Sequence, residues 1–294
     1  MTINPNSRSL TVDHVAHFLP DLDAASSALT RLGFTLTPLS AQSHRLHEGG
    51  PLQPAGTANR CVMLKNGYLE YLTPTHDTPN ARQLRDAIAR YTGVHLIAFG
   101  TQAPAADFER LEREGFSPLP PIALQRQADT PNGEATARFT VVRVPPNVMA
   151  EGRIQYCQHH TPEVVWQSRW TSHANGAVGL AGVLLCVENP AQAAQRYARF
   201  TGLTALSKGD FWLLNTAHGY LLFGSPAALQ CWLGVHAPAM PWIAGYVIDS
   251  RDMTATRKTT DGHSLGEQLC VTLPETLGGV MLFQKSGMAL PDAL

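Results

Sequence analysis

The chain has 294 residues, which suits two domains of ordinary size better than one small core. Hydrophobic residues make up 44% and charged residues 15% of it, a composition that excludes extensive disorder. The formal net charge is -1 and long basic runs are absent, so neither nucleic acid nor a membrane surface is an expected partner. The five cysteines never form a CxxC pair, and the first residues do not resemble a secretion signal. We therefore predict a cytoplasmic protein with reduced thiols.

An internal repeat organises the chain. Four times, an apolar run rich in β-branched residues leads into a helix that begins near proline or a capping residue and ends near glycine. These runs, each with the glycine that follows its helix, are 12–19 with Gly33, 94–99 with Gly115, 181–187 with Gly202, and 244–248 with Gly262.

Each unit then closes with a strand that glycine opens, at 67–72, 152–157, 219–224 and 278–283. Another strand-like run precedes each closing strand, so the predicted order is strand, helix and three strands, four times over. We predict an α+β fold in which four βαβββ modules pair into two domains with cupped mixed sheets. The expected bounds are 9–158 for the first domain, 159–177 for a linker and 178–285 for a second, degenerate domain. The polar segments 39–57 and 118–132 are predicted as loops.

Alignment of the four units identifies two positions that carry chemistry. The first-strand position holds, in order, His14, His95, Gly182 and Gly245. The closing-strand position holds Glu70, Gln155, Leu222 and Met281. Only the first two units therefore offer metal ligands. Strand alternation predicts that these ligands share one concave face, which further residues would line: Phe18, Tyr68, Phe99 and Arg153.

The segments Val12-Asp13-His14-Val15, 56–60 and 67–70 are similar to the glyoxalase-like branch of the vicinal oxygen chelate superfamily, which contains glyoxalases, bleomycin resistance proteins and extradiol dioxygenases. The resemblance implies a divalent metal ion, such as iron, manganese, nickel or zinc, in a cup formed by two paired units. It matches His14, Glu70 and His95 to ligand positions, and it places Gln155 where a glutamate is usual. It also implies a small-molecule substrate or ligand and leaves a homodimer open.

The leading functional hypothesis is a metal-dependent enzyme of the lyase or isomerase type, acting on a small organic substrate with vicinal oxygens. Glu70 is its expected catalytic carboxylate. The substrate contacts expected for it are Asn59, Arg60, Arg153, Phe18, Phe99 and Tyr68.

A second hypothesis is an iron(II) ring-cleaving dioxygenase, because two histidines and one carboxylate are the ligands of many iron(II) oxygenases. A third is a binding protein without chemistry, since the usual fourth carboxylate is missing. Fold alone does not choose among them. His159 and His160 are expected to be solvated linker residues.

Overall fold

A computed structural model describes residues 10–44, 50–51, 53–288 and 290. Position 9, where the first domain was predicted to begin, lies outside the described residues. Within them, no helix is long and apolar enough to span a membrane.

The described elements repeat the order strand, helix and three strands four times. The first module contains β1 (Thr11–Phe18), α1 (Leu22–Arg31), β2 (Ser40–His44), β3 (Gln53–Met63) and β4 (Tyr68–Pro74). The connecting helix α2 (Pro79–Arg90) leads to the second module, which contains β5 (Gly93–Gly100), α3 (Pro104–Arg113), β6 (Leu119–Thr130), β7 (Gly133–Arg143) and β8 (Arg153–His159).

Helix α4 (Pro162–Val165) and a 3₁₀ turn (Ser168–Trp170) follow the second module. The third module contains β9 (Ala177–Cys186), α5 (Pro190–Thr201), β10 (Ala205–Lys208), β11 (Phe211–Asn215) and β12 (Tyr220–Gly224). After α6 (Pro226–Leu233), the fourth module contains β13 (Trp242–Ser250), α7 (Met253–Thr259), β14 (His263–Leu265), β15 (Gln268–Thr272) and β16 (Val280–Lys285). The predicted α+β fold of four βαβββ modules is therefore confirmed. The exact domain and linker bounds stay a prediction.

The first two modules form a closed barrel. The hydrogen-bonded order of its strands is β1-β4-β3-β2-β6-β7-β8-β5, and β5 pairs back with β1 in antiparallel orientation. The closure depends on β2 and β6, which pair at Ser43 with Gln125 and at His44 with Leu124. The prediction that 118–132 is a loop is therefore wrong, and β2 and β3 likewise occupy much of the described part of 39–57. A closed barrel has no unpaired edge and encloses an interior, which here is partly open as a cavity.

The last two modules form a second curved part of the sheet with the same pairings within each module. Strand β13 also pairs with β5 at Ile243 and Val94, so the strands of both halves belong to one hydrogen-bonded sheet. Strand β9 pairs with β13 in antiparallel orientation, as β1 does with β5. The inner face of this second part is filled by an apolar cluster that includes Leu184, Leu213, Tyr220, Leu222 and Trp242. The second part therefore has an apolar interior where the first has a polar cavity.

The outer faces of both parts of the sheet and the helices that cover them share one hydrophobic core. Phe200 of α5, in the second half, stacks on Tyr156 of β8, in the first half, with ring centroids 5.3 Å apart. The Tyr156 hydroxyl donates a hydrogen bond to the Phe200 carbonyl oxygen at 2.6 Å. The halves are thus joined through buried contacts that also fix the outer side of β8.

The helix boundaries follow the sequence signals. Asp21 and Asn189 accept hydrogen bonds from backbone N–H groups of the first turns of α1 and α5, and Gly202 ends α5 with a φ of 73°. Asp252 caps α7 by accepting hydrogen bonds from the backbone N–H groups of Thr254 and Ala255. An aspartate side chain is a strong N-cap because it accepts from two free N–H groups at once.

One pair of positions distinguishes the two halves. His14 on β1 is paired in register with Tyr68 on β4, and their rings stack at 4.3 Å. At the equivalent positions of the second half, Gly182 is paired with Tyr220. A Cβ atom at Gly182 would lie 2.4 Å from Cε2 of Tyr220, so the tyrosine ring occupies the space that a side chain at 182 would need.

Candidate metal and ligand site

A cavity of about 520 Å³ opens inside the first barrel. Its walls come from the inner faces of the barrel strands, and residues at the start of α2 close one side. The predicted site residues that line it are His14, Asn59, Tyr68, Glu70, Arg153 and Gln155. Six of the ten predicted site residues therefore line one cavity.

His14 is held by the residue before it. Its Nδ1 donates a hydrogen bond to Oδ2 of Asp13 at 2.6 Å, and His14 is only 3% exposed. Because Nδ1 carries the proton, the lone pair on Nε2 is free to face a ligand, as in histidines that bind metals with a carboxylate behind them. Burial alone would raise the pKa of Asp13, but hydrogen bonds from His14 and His159 outweigh it and lower the pKa to about 2.

Glu70 is oriented through one of its two oxygens. Oε1 accepts hydrogen bonds from Nδ2 of Asn59 at 2.5 Å and from Nε2 of Gln42 at 3.1 Å. Its other oxygen, Oε2, lies 4.0 Å from Nε2 of His14. His14 and Glu70, two potential metal ligands on different strands, are therefore each oriented by hydrogen bonds to one atom of the side chain. Their other atoms, Nε2 and Oε2, face each other 4.0 Å apart.

Two further residues border these donors. The phenol ring of Tyr68 covers one side of His14, and burial raises the pKa of that phenol well above its ordinary value, so it is neutral. Gln155 lines the cavity and makes no side-chain hydrogen bond to any residue that the structure describes. Its amide oxygen is thus available to a ligand.

His95 lies away from this site. Strand β5 has one more residue than β1 between the pairs Ala16–Leu96 and His17–Val94, which is a bulge at His95. The ring of His95 stacks on Tyr91 at 3.9 Å, and its Nε2 is hydrogen-bonded to the Tyr91 carbonyl oxygen. It is not among the described residues that line the cavity.

The same bulge changes which residues of β5 face inward. Leu96 lines the cavity, whereas Phe99 packs in the shared core against Tyr156 and Phe200. The alternation expected for β5, with His95 and Phe99 on the inner face beside His14, is therefore wrong, because it assumed a regular strand.

The remaining predicted contacts divide between the cavity and its surroundings. Asn59 serves the cavity through Glu70, but Arg60 points to the other side of β3 and donates to the Thr37 carbonyl oxygen at 3.1 Å. Phe18 lies beneath Arg153, with the guanidinium carbon 5.6 Å from the ring centroid. Arg60 and Phe18 do not appear among the described lining residues.

The sequence reading missed a buried cluster next to His14. Nε2 of His159 donates a hydrogen bond to Asp13 at 3.0 Å and lies 3.7 Å from Sγ of Cys157. Asp13, Cys157 and His159 offer ligand atoms within 4.8 Å of one another, the one such trio of His, Cys, Asp or Glu in the described part of the chain. His159 was predicted as a solvated linker residue, and that prediction is wrong, because it ends β8 with a side chain only 8% exposed. A second register shift lies in β1 at Asp13, between the pairs Val12–Phe99 and His14–Ala98, and it places Asp13 beside His14.

Comparison with known proteins agrees with this architecture. A model of the glyoxalase-like domain family matches residues 12–201, which include all of the first barrel except Thr11. The chain belongs to the glyoxalase-like domain family. The resemblance to the vicinal oxygen chelate superfamily inferred from the sequence is thereby confirmed. A search of curated protein sequences finds no match.

Solved structures support the fold of this glyoxalase-like chain at low sequence identity. A hypothetical protein from Staphylococcus aureus is 13% identical with a TM-score of 0.65, over 94% of this chain and 99% of that one. A mutant of 4-hydroxymandelate synthase from Streptomyces coelicolor is 13% identical with a TM-score of 0.57, over 97% and 96%. A fusion of a xylose isomerase-like TIM barrel with 4-hydroxyphenylpyruvate dioxygenase is 13% identical with a TM-score of 0.57, over 98% of this chain and 51% of that one.

The pair formed by His14 and Glu70 fits a divalent metal ion, which this superfamily typically binds. Metal bonds of about 2.0–2.2 Å place two donors about 3.0–3.5 Å apart at usual angles. The 4.0 Å between His14 Nε2 and Glu70 Oε2 requires only a small approach of the two side chains. The free amide of Gln155 lines the same cavity, whereas His95 does not supply the expected fourth ligand.

Proposed function

We propose that the chain is a metal-dependent enzyme of the lyase or isomerase type that acts on a small organic substrate with vicinal oxygens. The observation that carries the proposal is the pair formed by His14 Nε2 and Glu70 Oε2, 4.0 Å apart at the wall of a cavity of about 520 Å³. A cavity of this size suits a small organic molecule. A divalent cation bound there would supply the positive charge that polarises a substrate carbonyl.

The protein residues have separate tasks in this proposal. Asp13 keeps the proton of His14 on Nδ1, and Asn59 with Gln42 keeps Oε2 of Glu70 turned toward the histidine. Gln155 would add a neutral oxygen donor, which leaves more positive charge on the site than a glutamate would.

Glu70 is also the proposed proton acceptor. Oε2 is its cavity-facing oxygen and would accept the proton in a substrate complex in which it is not bound to the cation. A carboxylate positioned for proton transfer commonly contributes about 10²–10⁴-fold to the rate. The apolar side chains Leu72, Leu96 and Val141 line the same cavity and would limit the access of water to the transferred proton.

A second candidate is a protein that binds a small molecule without chemistry. The observation that favours it is the position of His95, which leaves the cavity with fewer metal donors than the sequence alignment suggested. The iron(II) dioxygenase hypothesis relied on His14, His95 and Glu70 as its three ligands, so it loses its third ligand and we rank it below the other two.

Metal analysis tests the proposal. We expect protein purified without chelator, or dialysed against Zn²⁺, Mn²⁺ or Ni²⁺, to retain about one ion per chain, because the proposed site of His14 and Glu70 holds one ion. His14→Ala and Glu70→Gln should lose it. His95→Gln and the exposed control His76→Gln should retain it, with thermal unfolding as the check on folding. Equal metal content in wild type, His14→Ala and Glu70→Gln would refute the site.

Two further measurements separate the alternatives. Loss of metal from Cys157→Ala but not from Glu70→Gln would assign the ion to the cluster of Asp13, Cys157 and His159 instead. Turnover of a panel of 2-oxoaldehyde adducts and catechols, abolished by Glu70→Gln, would support an enzyme. Stoichiometric binding of a panel member by metal-loaded protein, with no turnover of any, would favour the binding protein.

A further inference from the structure

We infer that the cavity takes an organic anion, and that Arg143 and Arg153 bind its acidic group. This inference names the ligand class of the site proposed above and in that sense rests on the proposed function. Its evidence is separate, because it comes from two side chains of β7 and β8 that are not proposed as metal ligands.

The charge of the cavity is unbalanced. Its charged lining residues, among those described, are three arginines and one carboxylate: Arg126, Arg143, Arg153 and Glu70. None of the three arginines forms an ion pair with a carboxylate in the described part of the chain. The charge of Glu70 raises the pKa of Arg153, but one carboxylate does not balance three guanidinium groups, so the lining carries excess positive charge.

Arg153 is held by neutral partners. Its guanidinium donates to Oδ1 of Asn80 at 3.2 Å and to Oε1 of Gln83 at 3.1 Å, both from α2. Burial and the nearby charge of Arg143 lower the pKa of Arg153 to about 10, so it is still a cation at neutral pH. The two amides orient the guanidinium without neutralising it, which leaves its charge for a ligand.

Arg143 has fewer hydrogen-bond partners than Arg153 among the described residues. Its Nε is buried and has no hydrogen-bond partner among the described residues, and burial lowers the pKa of its guanidinium. Arg143 is half-buried, and a charge that loses part of its water without a counter-ion destabilises the fold. A carboxylate accepts from the guanidinium fork and would remove that destabilisation on binding.

The strand register brings the two arginines together. Arg143 of β7 pairs with Gln155 of β8, and Arg153 is two residues along β8 on the same face. Such diagonal neighbours lie about 7–8 Å apart at the backbone, and long side chains reach across that distance. Two cations that face one cavity and repel each other form a site into which one anion fits.

The rest of the lining suggests the shape of the ligand. Along the row of paired residues, Gln155 is opposite Ala98, and Ala98 is opposite His14. Arg143 therefore lies beyond Gln155 as seen from His14. Arg153 lies in the neighbouring row, which runs through Leu96 and Ala16 to Glu70, and apolar residues such as Leu96 and Val141 line the same cavity. The geometry points to a molecule with an acidic group at one end and an apolar body.

Matched acid and amide probes test this inference. Binding of 3-phenylpropionate and 4-phenylbutyrate is compared with that of their primary amides by calorimetry. We expect the acids to bind at least tenfold more tightly, since loss of one charge-assisted interaction corresponds to about 1.4 kcal/mol or more. Arg143→Gln and Arg153→Gln should remove the preference, whereas Arg113→Gln, an exposed control with the same charge loss, should keep it. Phenyl phosphate, run beside the acids, shows whether a dianion is preferred to a carboxylate; either result agrees with an anion site.

Chelator treatment separates this inference from the proposed function. If the protein binds no metal, the preference for acids should persist with EDTA and in Glu70→Gln. A preference that disappears with EDTA but persists in both arginine variants would overturn the inference, because the anion would then be held by metal. Equal affinity for acids and amides would also overturn it.

Protein stability gives a second readout. If Arg143 binds the ligand and has no structural role, Arg143→Met should leave the melting temperature of the free protein unchanged or raise it. The substitution removes an unpaired, partly buried charge. A clear loss of stability in that variant, with acid binding intact, would assign Arg143 a structural role and overturn its part in the site.

Discussion

His17 provides a direct test of how the two halves are joined. The residue is fully buried, its Nδ1 donates to the Leu277 carbonyl oxygen at 2.8 Å, and its Nε2 lies 3.2 Å from the Tyr246 hydroxyl. Burial lowers the pKa of the His17 imidazole from 6.5 to about 4. The folded protein therefore keeps this ring neutral at pH values where the unfolded chain protonates it.

The sign of the pH effect follows from proton uptake. Between pH 6.5 and 4 the unfolded chain binds one proton more than the folded one at this position, so the free energy of unfolding falls as the pH falls. Each pH unit in that window costs about 1.4 kcal/mol, which amounts to roughly 3 kcal/mol over the whole shift. Above pH 6.5 the contribution is constant.

Urea unfolding at a series of pH values measures this contribution. We expect His17→Gln to lose less stability than wild type between pH 6.5 and 4.5, by about 2–3 kcal/mol, although the variant is less stable at neutral pH. His76→Gln, which removes an exposed histidine, serves as the control and should follow wild type. A His17→Gln curve parallel to that of wild type would refute the reasoning, because it would mean that His17 becomes protonated in the folded state.

Three further predictions follow from the site and its support. Asp13→Asn should weaken divalent metal binding about 10–100-fold, as loss of the carboxylate behind a metal-binding histidine usually does; titration with Zn²⁺ and a competing chelator measures it, and unchanged affinity would contradict the role given to Asp13. Gln155→Glu should tighten metal binding in the same titration by adding a negative donor, and weaker or equal binding would show that Gln155 lies outside the coordination sphere. Arg196→Met should lower the free energy of unfolding by about 3–5 kcal/mol, because it leaves Glu151, which is 1% exposed, without its partner from the other half. Denaturant unfolding measures the loss, and a loss below 1 kcal/mol would contradict the prediction.

Glycine positions made the repeat predictable from sequence. Gly67, for example, opens β4 with a φ of 79°, and a Cβ atom there would lie 2.9 Å from the carbonyl oxygen of Asp13. Such a position favours glycine on steric grounds alone, so glycine marks it in the sequence. Because this signal depends on local backbone geometry, it survives in all four modules although their site residues differ.

The failures have an equally physical origin. A bulge adds a residue to one strand without changing its hydrophobic pattern, so the displacement of His95 and the placement of Asp13 beside His14 could not be deduced from alternation. The segment 118–132 was predicted as a loop because it is rich in proline, glutamine and aspartate. The residues of β6 within it are exposed or half-buried, so the strand lacks the apolar pattern of a buried one. Arg143 carried no sequence signal, since its significance lies in the absence of a partner.

The contact between Gly182 and Tyr220 limits how this protein can change. A second ligand site in the same chain would need a side chain at 182, yet any such side chain collides with the tyrosine ring while Tyr220 is present. Replacement of Tyr220 must therefore come first, and that step alone opens a void in an apolar interior and destabilises the fold. The two changes are coupled by sign epistasis: each is harmful alone. The repeated framework thus stays asymmetric under single substitutions, with a cavity in the first half and an apolar interior in the second.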